Sequence, residues 1–186
     1  MERIINHRDG FIYDPIIKGF DELFWATLAG TPAMSGNVLR LTSASVGSFT
    51  QYCFADVEFN LNVAVAPVAG QDKVWGLYSP VTVSLGAAYF KVAAAVFTAE
   101  TADDAGNTKS TTLTWAAGYT GKDTKFRIRW EPDAIKFYIN GTIVASHDLI
   151  APSYGSSMAL PLRVTNGNAD NLDIVYVAIR QTASIV

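Results

Sequence analysis

Hydrophobic and polar residues alternate most regularly between residues 125 and 148. Apolar positions recur at every second residue over 126–130 and again over 135–139, the period that predicts strands with one buried face. Between these runs, the proline in residues 131–133 favours a turn. Asn140-Gly141 then favours the type I′ turn of a tight hairpin. The pattern therefore predicts a three-stranded antiparallel meander that ends at residue 146.

Similar short runs, bounded by Gly, Pro, Asn and Asp, predict further strands at 38–42, 54–65, 73–78, 110–117, 158–164 and 172–180. Residues 87–98 are apolar on both faces, which fits one central strand or two strands that meet at a bend. The Ser- and Gly-rich residues 43–51 are expected to form a connection. Because no segment has a clear helical period, the sequence predicts an all-β, two-sheet antiparallel jelly-roll sandwich.

The first 19 residues follow a different pattern, in which apolar pairs are separated by turn-forming residues. We expect an extended N-terminal arm over 1–19 and a sandwich domain over 20–186. The arm either completes the sheet of its own chain or docks on a neighbouring subunit. Its apolar anchors are Ile4, Ile5, Phe11, Ile12, Tyr13, Ile16 and Ile17.

Composition limits the classes of function. The chain has 186 residues, 49% of them hydrophobic, and this length fits one domain. A net charge of −3, without a basic stripe, argues against a nucleic-acid partner. The single Cys53 excludes an internal disulfide and a thiolate zinc site, and we expect it to be a buried apolar side chain. No apolar run is long enough for a membrane span, and the N-terminus lacks a secretion signal, so we expect synthesis in the cytoplasm.

The segment from residue 126 to residue 146 resembles a known superfamily. A strand ending in an aromatic residue, then E-P-D, then an alternating strand closed by N-G, is similar to the late strands of concanavalin A-like lectin/glucanase domains. These include laminin G-like modules, legume-type lectins and laminarinase-like glucanases. The resemblance covers residues 39–180 in pattern and 126–146 in motif. It implies the sandwich fold but leaves the function open, because this sandwich hosts binding, catalytic and structural roles.

Three polar side chains on one strand are the candidate catalytic feature. Asp56, Glu58 and Asn60 alternate along residues 54–65 and therefore share a face. In laminarinase-like glucanases, the resemblance implies three acids on one strand as E-x-D-x-E. Retaining glycosidases need two carboxyl groups about 5–5.5 Å apart. Here the first two acids are exchanged in type and Asn60 replaces the third, so we expect a solvated polar face without catalysis.

Two other groups of residues are candidates for binding. Trp75, Tyr78, Trp115 and Tyr119 lie near strand ends, where their rings could stack on sugars while Asp56, Glu58 and Asn60 supply hydrogen bonds. The alternative is that these rings belong to the core, as we expect for Trp25 and Trp130. No cofactor is predicted, with calcium left open at two oxygen-rich loops. The first loop offers Asp103, Asp104 and Asn107, and the better one offers Asn168, Asp170 and Asp173.

The arm and the missing secretion signal lead to a functional hypothesis. It is a non-catalytic structural protein of a phage or virus particle, such as a capsid decoration or tail component, held by exchange of the arm. Its partners would be copies of itself or other virion subunits, and a cell-surface glycan. The alternative is a free carbohydrate-binding module or lectin. A laminarinase-like glycoside hydrolase ranks last, because Asn60 replaces an acid.

Overall fold

A computed structural model describes residues 11–13, 25–52, 55–70, 72–78, 86–103, 105–131, 133–148 and 160–181. These residues form an all-β fold with one short 3-10 helix, Ala117–Tyr119. The strands are β1 (Phe11–Tyr13), β2 (Trp25–Ala29), β3 (Ala33–Ser35), β4 (Val38–Leu41), β5 (Ala44–Tyr52), β6 (Ala55–Val63), β7 (Lys73–Tyr78), β8 (Ala87–Ala93), β9 (Val96–Ala102), β10 (Thr108–Leu113), β11 (Thr124–Trp130), β12 (Ile135–Ile139), β13 (Thr142–His147), β14 (Leu160–Asn166) and β15 (Leu172–Gln181). In this part of the chain no helix is long and apolar enough to cross a membrane.

The strands form two antiparallel sheets, which confirms the predicted sandwich. The larger sheet has the order β13-β12-β11-β6-β15-β4-β3, with β1 also paired to β15. The smaller sheet has the order β10-β9-β8-β7-β14-β5-β2. The Ser/Gly-rich segment predicted as a connection is β5, which pairs with both β14 and β2.

The core lies between the two sheets. Alternate residues of the central strands point inward, as Val57, Phe59 and Leu61 do on β6 at 0% exposure. An aromatic cluster around Trp75 joins the sheets, with its ring centroid 4.8 Å from that of Phe126 on β11. Trp25 and Trp130 are each 1% exposed, so the prediction that they belong to the core is confirmed. Burying a large apolar side chain contributes about 1.5–3 kcal/mol, so this cluster fixes how the sheets face each other.

The meander predicted from sequence is β11, β12 and β13. Its tight turn is also confirmed, because Asn140 and Gly141 have φ values of 49° and 83°. The apolar run 87–98 is two strands, β8 and β9, joined at Ala94-Ala95. Both alanines have positive φ, at 48° and 68°, a conformation that L-residues with a Cβ adopt at a cost.

Exchanging Ala94-Ala95 for Asn-Gly is expected to raise the free energy of unfolding by about 1–2 kcal/mol, because Asn and Gly tolerate left-handed backbone angles. Urea denaturation of the double variant checks this. The reverse exchange, Asn140-Gly141 to Ala-Ala, is the matched control and should destabilise by a similar amount. A lower urea midpoint for the Asn-Gly variant would contradict the expectation.

The predicted arm lies only partly within the described residues. Phe11–Tyr13 form β1, which pairs with Val177–Ile179 of the same chain and so extends the chain's own larger sheet. For these three residues the structure favours the first of the two packings considered, rather than docking on a neighbour. Ile4, Ile5, Ile16 and Ile17 lie outside the described residues, as does Cys53, and the domain boundary at residue 20 stays a prediction.

Candidate active site

The outer face of the larger sheet carries charged side chains at its centre, on β6 and its two neighbours. Asp56 and Glu58 point outward from β6, because the residues between and beside them fill the core. On β11, Arg127 stands opposite Glu58. On β15, Ala178 stands opposite Glu58 and Arg180 opposite Asp56. Three adjacent strands thus bring two carboxylates and two guanidinium groups together.

Asp56 is held by a bidentate ion pair with Arg127. Arg127 donates from Nε to Asp56 Oδ1 at 2.6 Å and from Nη2 to Asp56 Oδ2. The hydrogen bond that Arg127 donates to Asp56 is the main reason why the pKa of Arg127 is raised. The Cζ atom of Arg127 also lies 5.3 Å from the ring centroid of Tyr138, and this cation–π contact further restrains the guanidinium group. The two hydrogen bonds hold the Asp56 carboxyl group in one orientation.

The Glu58 side chain is more exposed to solvent than that of Asp56, and one of its carboxylate oxygens accepts a hydrogen bond. Tyr176 Oη donates to Glu58 Oε1 at 2.5 Å, and Lys125 Nζ lies 4.0 Å from the same oxygen. Burial and this hydrogen bond raise the pKa of Tyr176, so the phenol keeps its proton. The Glu58 side chain is 29% exposed, compared with 10% for Asp56.

A cavity of about 170 Å³ opens beside these groups and is lined by Asp56, Glu58, Arg127, Ala178 and Arg180. The small side chain of Ala178, directly opposite Glu58, leaves this space open. Pockets that enclose a whole small molecule measure roughly 300–1,000 Å³. The depression beside Asp56 and Glu58 is smaller than such a pocket.

Asn60, the third polar residue of β6, does not take part in the cavity. It is 7% exposed, and its side-chain oxygen has no hydrogen-bond partner among the described residues. The strand therefore presents two carboxylates, where the E-x-D-x-E motif has three acids.

The four aromatic candidates do not join the acidic pair. Trp75 is 0% exposed in the core, so its ring has no face available to a sugar, and the alternative of a core residue holds for it. Trp115 and Tyr119 are partly buried and pack against the core, where Trp115 meets Phe97 with ring centroids 5.1 Å apart. Tyr78 is half-buried on the outer face of the smaller sheet, on the other side of the sandwich.

In the loop that was the better candidate for calcium, the two aspartates form ion pairs with basic side chains. Lys73 Nζ lies 2.7 Å from Asp170 Oδ2, and Arg40 Nε lies 2.8 Å from Asp173 Oδ1. The side-chain amide of Asn168 lies between two backbone groups, with its nitrogen donating to the Gly70 carbonyl and its oxygen accepting from the Asp72 N–H. Side-chain cations thus take the two carboxylates that the prediction gave to calcium.

The other oxygen-rich loop folds on itself. Asp103 accepts hydrogen bonds from both the backbone and the side chain of Asn107, at 2.8 Å each. Asp104 lies outside the described residues. Within the described part of the chain, no group of three His, Cys, Asp or Glu side chains could hold a metal ion.

Sequence reasoning missed three residues of the cavity region: Arg127, Tyr176 and Arg180. Arg127 was visible as an outward position of a predicted strand, but its pairing with Asp56 depends on which strand lies beside β6. Regular alternation along the predicted strand 172–180 would place Tyr176 on the same face as Ile174. A bulge between these residues reverses the alternation, so that Ile174 is buried and Tyr176 reaches Glu58.

Comparisons with known proteins identify the fold. No protein-family model matches the sequence, and no curated protein matches it. Among solved structures, the chain resembles a Crh5 transglycosylase in complex with NAG, with a TM-score of 0.72 and 13% identity over 95% of this chain and 87% of that one. It also resembles the Bacillus licheniformis beta-glucanase, with a TM-score of 0.69 and 13% identity over 92% and 98% of the two chains. A third is SCLam, a non-specific endo-beta-1,3(4)-glucanase from family GH16, with a TM-score of 0.71 and 12% identity over 93% and 92%.

The chain has the concanavalin A-like jelly-roll sandwich of these glucanases, as the sequence resemblance implied. The hypothesis of a non-catalytic virion component is contradicted by the solved structures that the chain resembles, which include two glucanases and a transglycosylase. The expectation that the chain is not an enzyme is contradicted by the same finding. That expectation gave too much weight to Asn60 and to the N-terminal arm.

Proposed function

We propose that this chain is a glycoside hydrolase that cleaves a β-linked glucan, with Asp56 and Glu58 as its two carboxylates. One observation carries the proposal: both acids point outward from β6 beside the same cavity. Alternate residues of a strand lie about 6.6–6.8 Å apart. Glycosidases use carboxyl groups roughly 5–9.5 Å apart, so the two positions suit this chemistry.

The two carboxylates have different surroundings, which suggests different roles. Cleavage of a glycosidic bond needs one carboxyl group that protonates the leaving oxygen and one anionic carboxylate that acts as nucleophile or base. Arg127 holds both oxygens of Asp56 in a bidentate ion pair, which fits the second role. Glu58 is the more exposed acid, and its described contacts all fall on Oε1, so Oε2 can exchange a proton with the substrate.

The proposed substrate follows from the open face and from the structural relatives. A depression of about 170 Å³ on a sheet surface accommodates an internal unit of a chain, which favours cleavage within a polymer. Two of the relatives are a beta-glucanase and an endo-beta-1,3(4)-glucanase, so β-1,3- and mixed-linkage glucans are the polymers to test first.

Changing Glu58→Gln is expected to lower kcat/KM on mixed-linkage glucan by about 100-fold or more, because glutamine cannot transfer the proton. Release of new reducing ends from the polymer measures this. Asp56→Asn should cause a similar loss and also lower the melting temperature, because Arg127 loses its anionic partner. Asp173→Asn, the same chemical change elsewhere on this face, is the matched control and should keep activity.

Two outcomes would contradict the proposal. One is a wild-type protein that binds glucans but releases no reducing ends from β-1,3- or mixed-linkage polymers. The other is hydrolysis that Glu58→Gln leaves unchanged while the melting temperature is also unchanged.

A further inference from the structure

Tyr176 on β15 reaches Glu58 from a diagonal position across the larger sheet. The register shift between Ile174 and Tyr176 places Tyr176 opposite Asn60 on β6. Asn60 and Glu58 lie on the same face of β6, so the long tyrosine side chain can span the diagonal to Glu58. Ala178, directly opposite Glu58, leaves the cavity open. Glu58 therefore has a hydrogen-bond donor at its diagonal neighbour and open space at its direct neighbour.

The contacts of Glu58 distinguish its two carboxyl oxygens. Tyr176 Oη donates to Oε1 at 2.5 Å, and Lys125 Nζ lies 4.0 Å from the same oxygen. Within the described part of the chain, no hydrogen bond or ion pair of Glu58 falls on Oε2. Burial and the hydrogen bond to Glu58 raise the pKa of Tyr176, so the phenol keeps its proton and remains a donor. A proton on Oε1 would compete with this donor, whereas a proton on Oε2 would not.

From this geometry we infer that Tyr176 is a positioning residue for the proposed hydrolase, because its hydrogen bond to Oε1 places the transferable proton of Glu58 on Oε2. The inference rests on the proposed function, in which Glu58 is the general acid. Tyr176 acts through Glu58 and needs no contact with the substrate.

Tyr176 keeps its own proton while Glu58 transfers one. The proton moves from Glu58 Oε2 to the glycosidic oxygen as the bond from that oxygen to the anomeric carbon breaks, and the bonding electron pair stays on the oxygen. Asp56, or water that it activates, bonds to the anomeric carbon, and the leaving sugar departs as an alcohol. Glu58 is now a carboxylate, and hydrogen bonds to ionised acceptors are roughly twice as strong as neutral ones. The Tyr176 contact thus strengthens during the transfer and lowers its barrier.

Two substrates that differ in the leaving group test the inference. Mixed-linkage glucan needs a proton on its leaving oxygen, whereas a dinitrophenyl glycoside of an oligosaccharide from the same glucan releases a stable phenolate without one. On the glucan, Tyr176→Phe is expected to lower kcat about tenfold and to leave KM within about twofold, because the contact strengthens only in the transition state. On the dinitrophenyl glycoside, kcat/KM of the variant should stay within about twofold of wild type.

Tyr89→Phe is the matched control. Tyr89 Oη also donates to a glutamate directly opposite on the neighbouring strand, Glu100, at 2.8 Å, but this pair lies on the smaller sheet. Its loss should leave both activities unchanged. The double variant Glu58→Gln with Tyr176→Phe should cleave the glucan no more slowly than Glu58→Gln alone, because Tyr176 acts through Glu58.

The inference is overturned if Tyr176→Phe slows both substrates equally, or if it leaves glucan cleavage unchanged. It is also overturned if Tyr176→Phe unfolds under conditions in which Tyr89→Phe stays folded, which would show that the hydroxyl serves the fold. A wild-type protein that cleaves neither substrate contradicts the proposed hydrolase itself. Glucan cleavage that needs Glu58 but not the Tyr176 hydroxyl contradicts only the role of Tyr176, so the two failures are separate results.

Discussion

Replacing Asp170 with alanine is expected to lower the free energy of unfolding by about 3–5 kcal/mol, the range found when one partner of a buried ion pair is removed. The side chains of Lys73 and Asp170 are 1% and 10% exposed, and Nζ and Oδ2 lie 2.7 Å apart. Without the carboxylate, the Lys73 ammonium loses its anion inside the sandwich. Chemical denaturation with far-UV circular dichroism measures the loss.

The same molecule offers a matched control. Asp173→Ala breaks the ion pair with Arg40, whose side chain is 36% exposed, and should cost about 1 kcal/mol or less. The double change Lys73→Met with Asp170→Leu should recover much of the stability, since apolar pairs can replace buried ion pairs. Equal losses for Asp170→Ala and Asp173→Ala would contradict the account of Lys73 as a buried cation.

Changing Gly76→Ala is expected to destabilise the protein by about 3 kcal/mol, at the upper end of the cost of overpacking. A Cβ at this position would lie 2.4 Å from the Ala88 carbonyl oxygen and 2.6 Å from the Tyr89 Cα. These are backbone atoms of β8, so the central pairing of the smaller sheet must shift. Thermal and urea unfolding of the variant check this.

Gly118→Ala is the control, because a Cβ there meets no atom within 4 Å. It should change stability by about 0.5 kcal/mol or less, as exposed substitutions usually do. If Gly76→Ala unfolds at the same urea concentration as wild type, the close approach of β7 and β8 does not limit stability.

The sequence by itself determined the fold class and much of the strand pattern. Alternation is a local property, so the meander at 126–146 and the strand at 73–78 follow from residues that are neighbours in the chain. The turn at Asn140-Gly141 was predictable for the same reason, because left-handed angles at both positions favour these two residues. At Ala94-Ala95 the same turn forms without that signal, since the pairing of β8 with β9 imposes it.

The candidate site was only half predictable. Asp56 and Glu58 could be placed on one face from their spacing alone, but their partners come from distant parts of the chain, Arg127 on β11 and Tyr176 on β15. The order of strands in a sheet and a bulge within one strand depend on long-range pairing, which periodicity does not encode. For the same reason, only the tertiary structure decided that Trp75 lies in the core and that Lys73 forms an ion pair with Asp170. It also placed the Arg163 guanidinium over the ring of Tyr78 on the neighbouring strand.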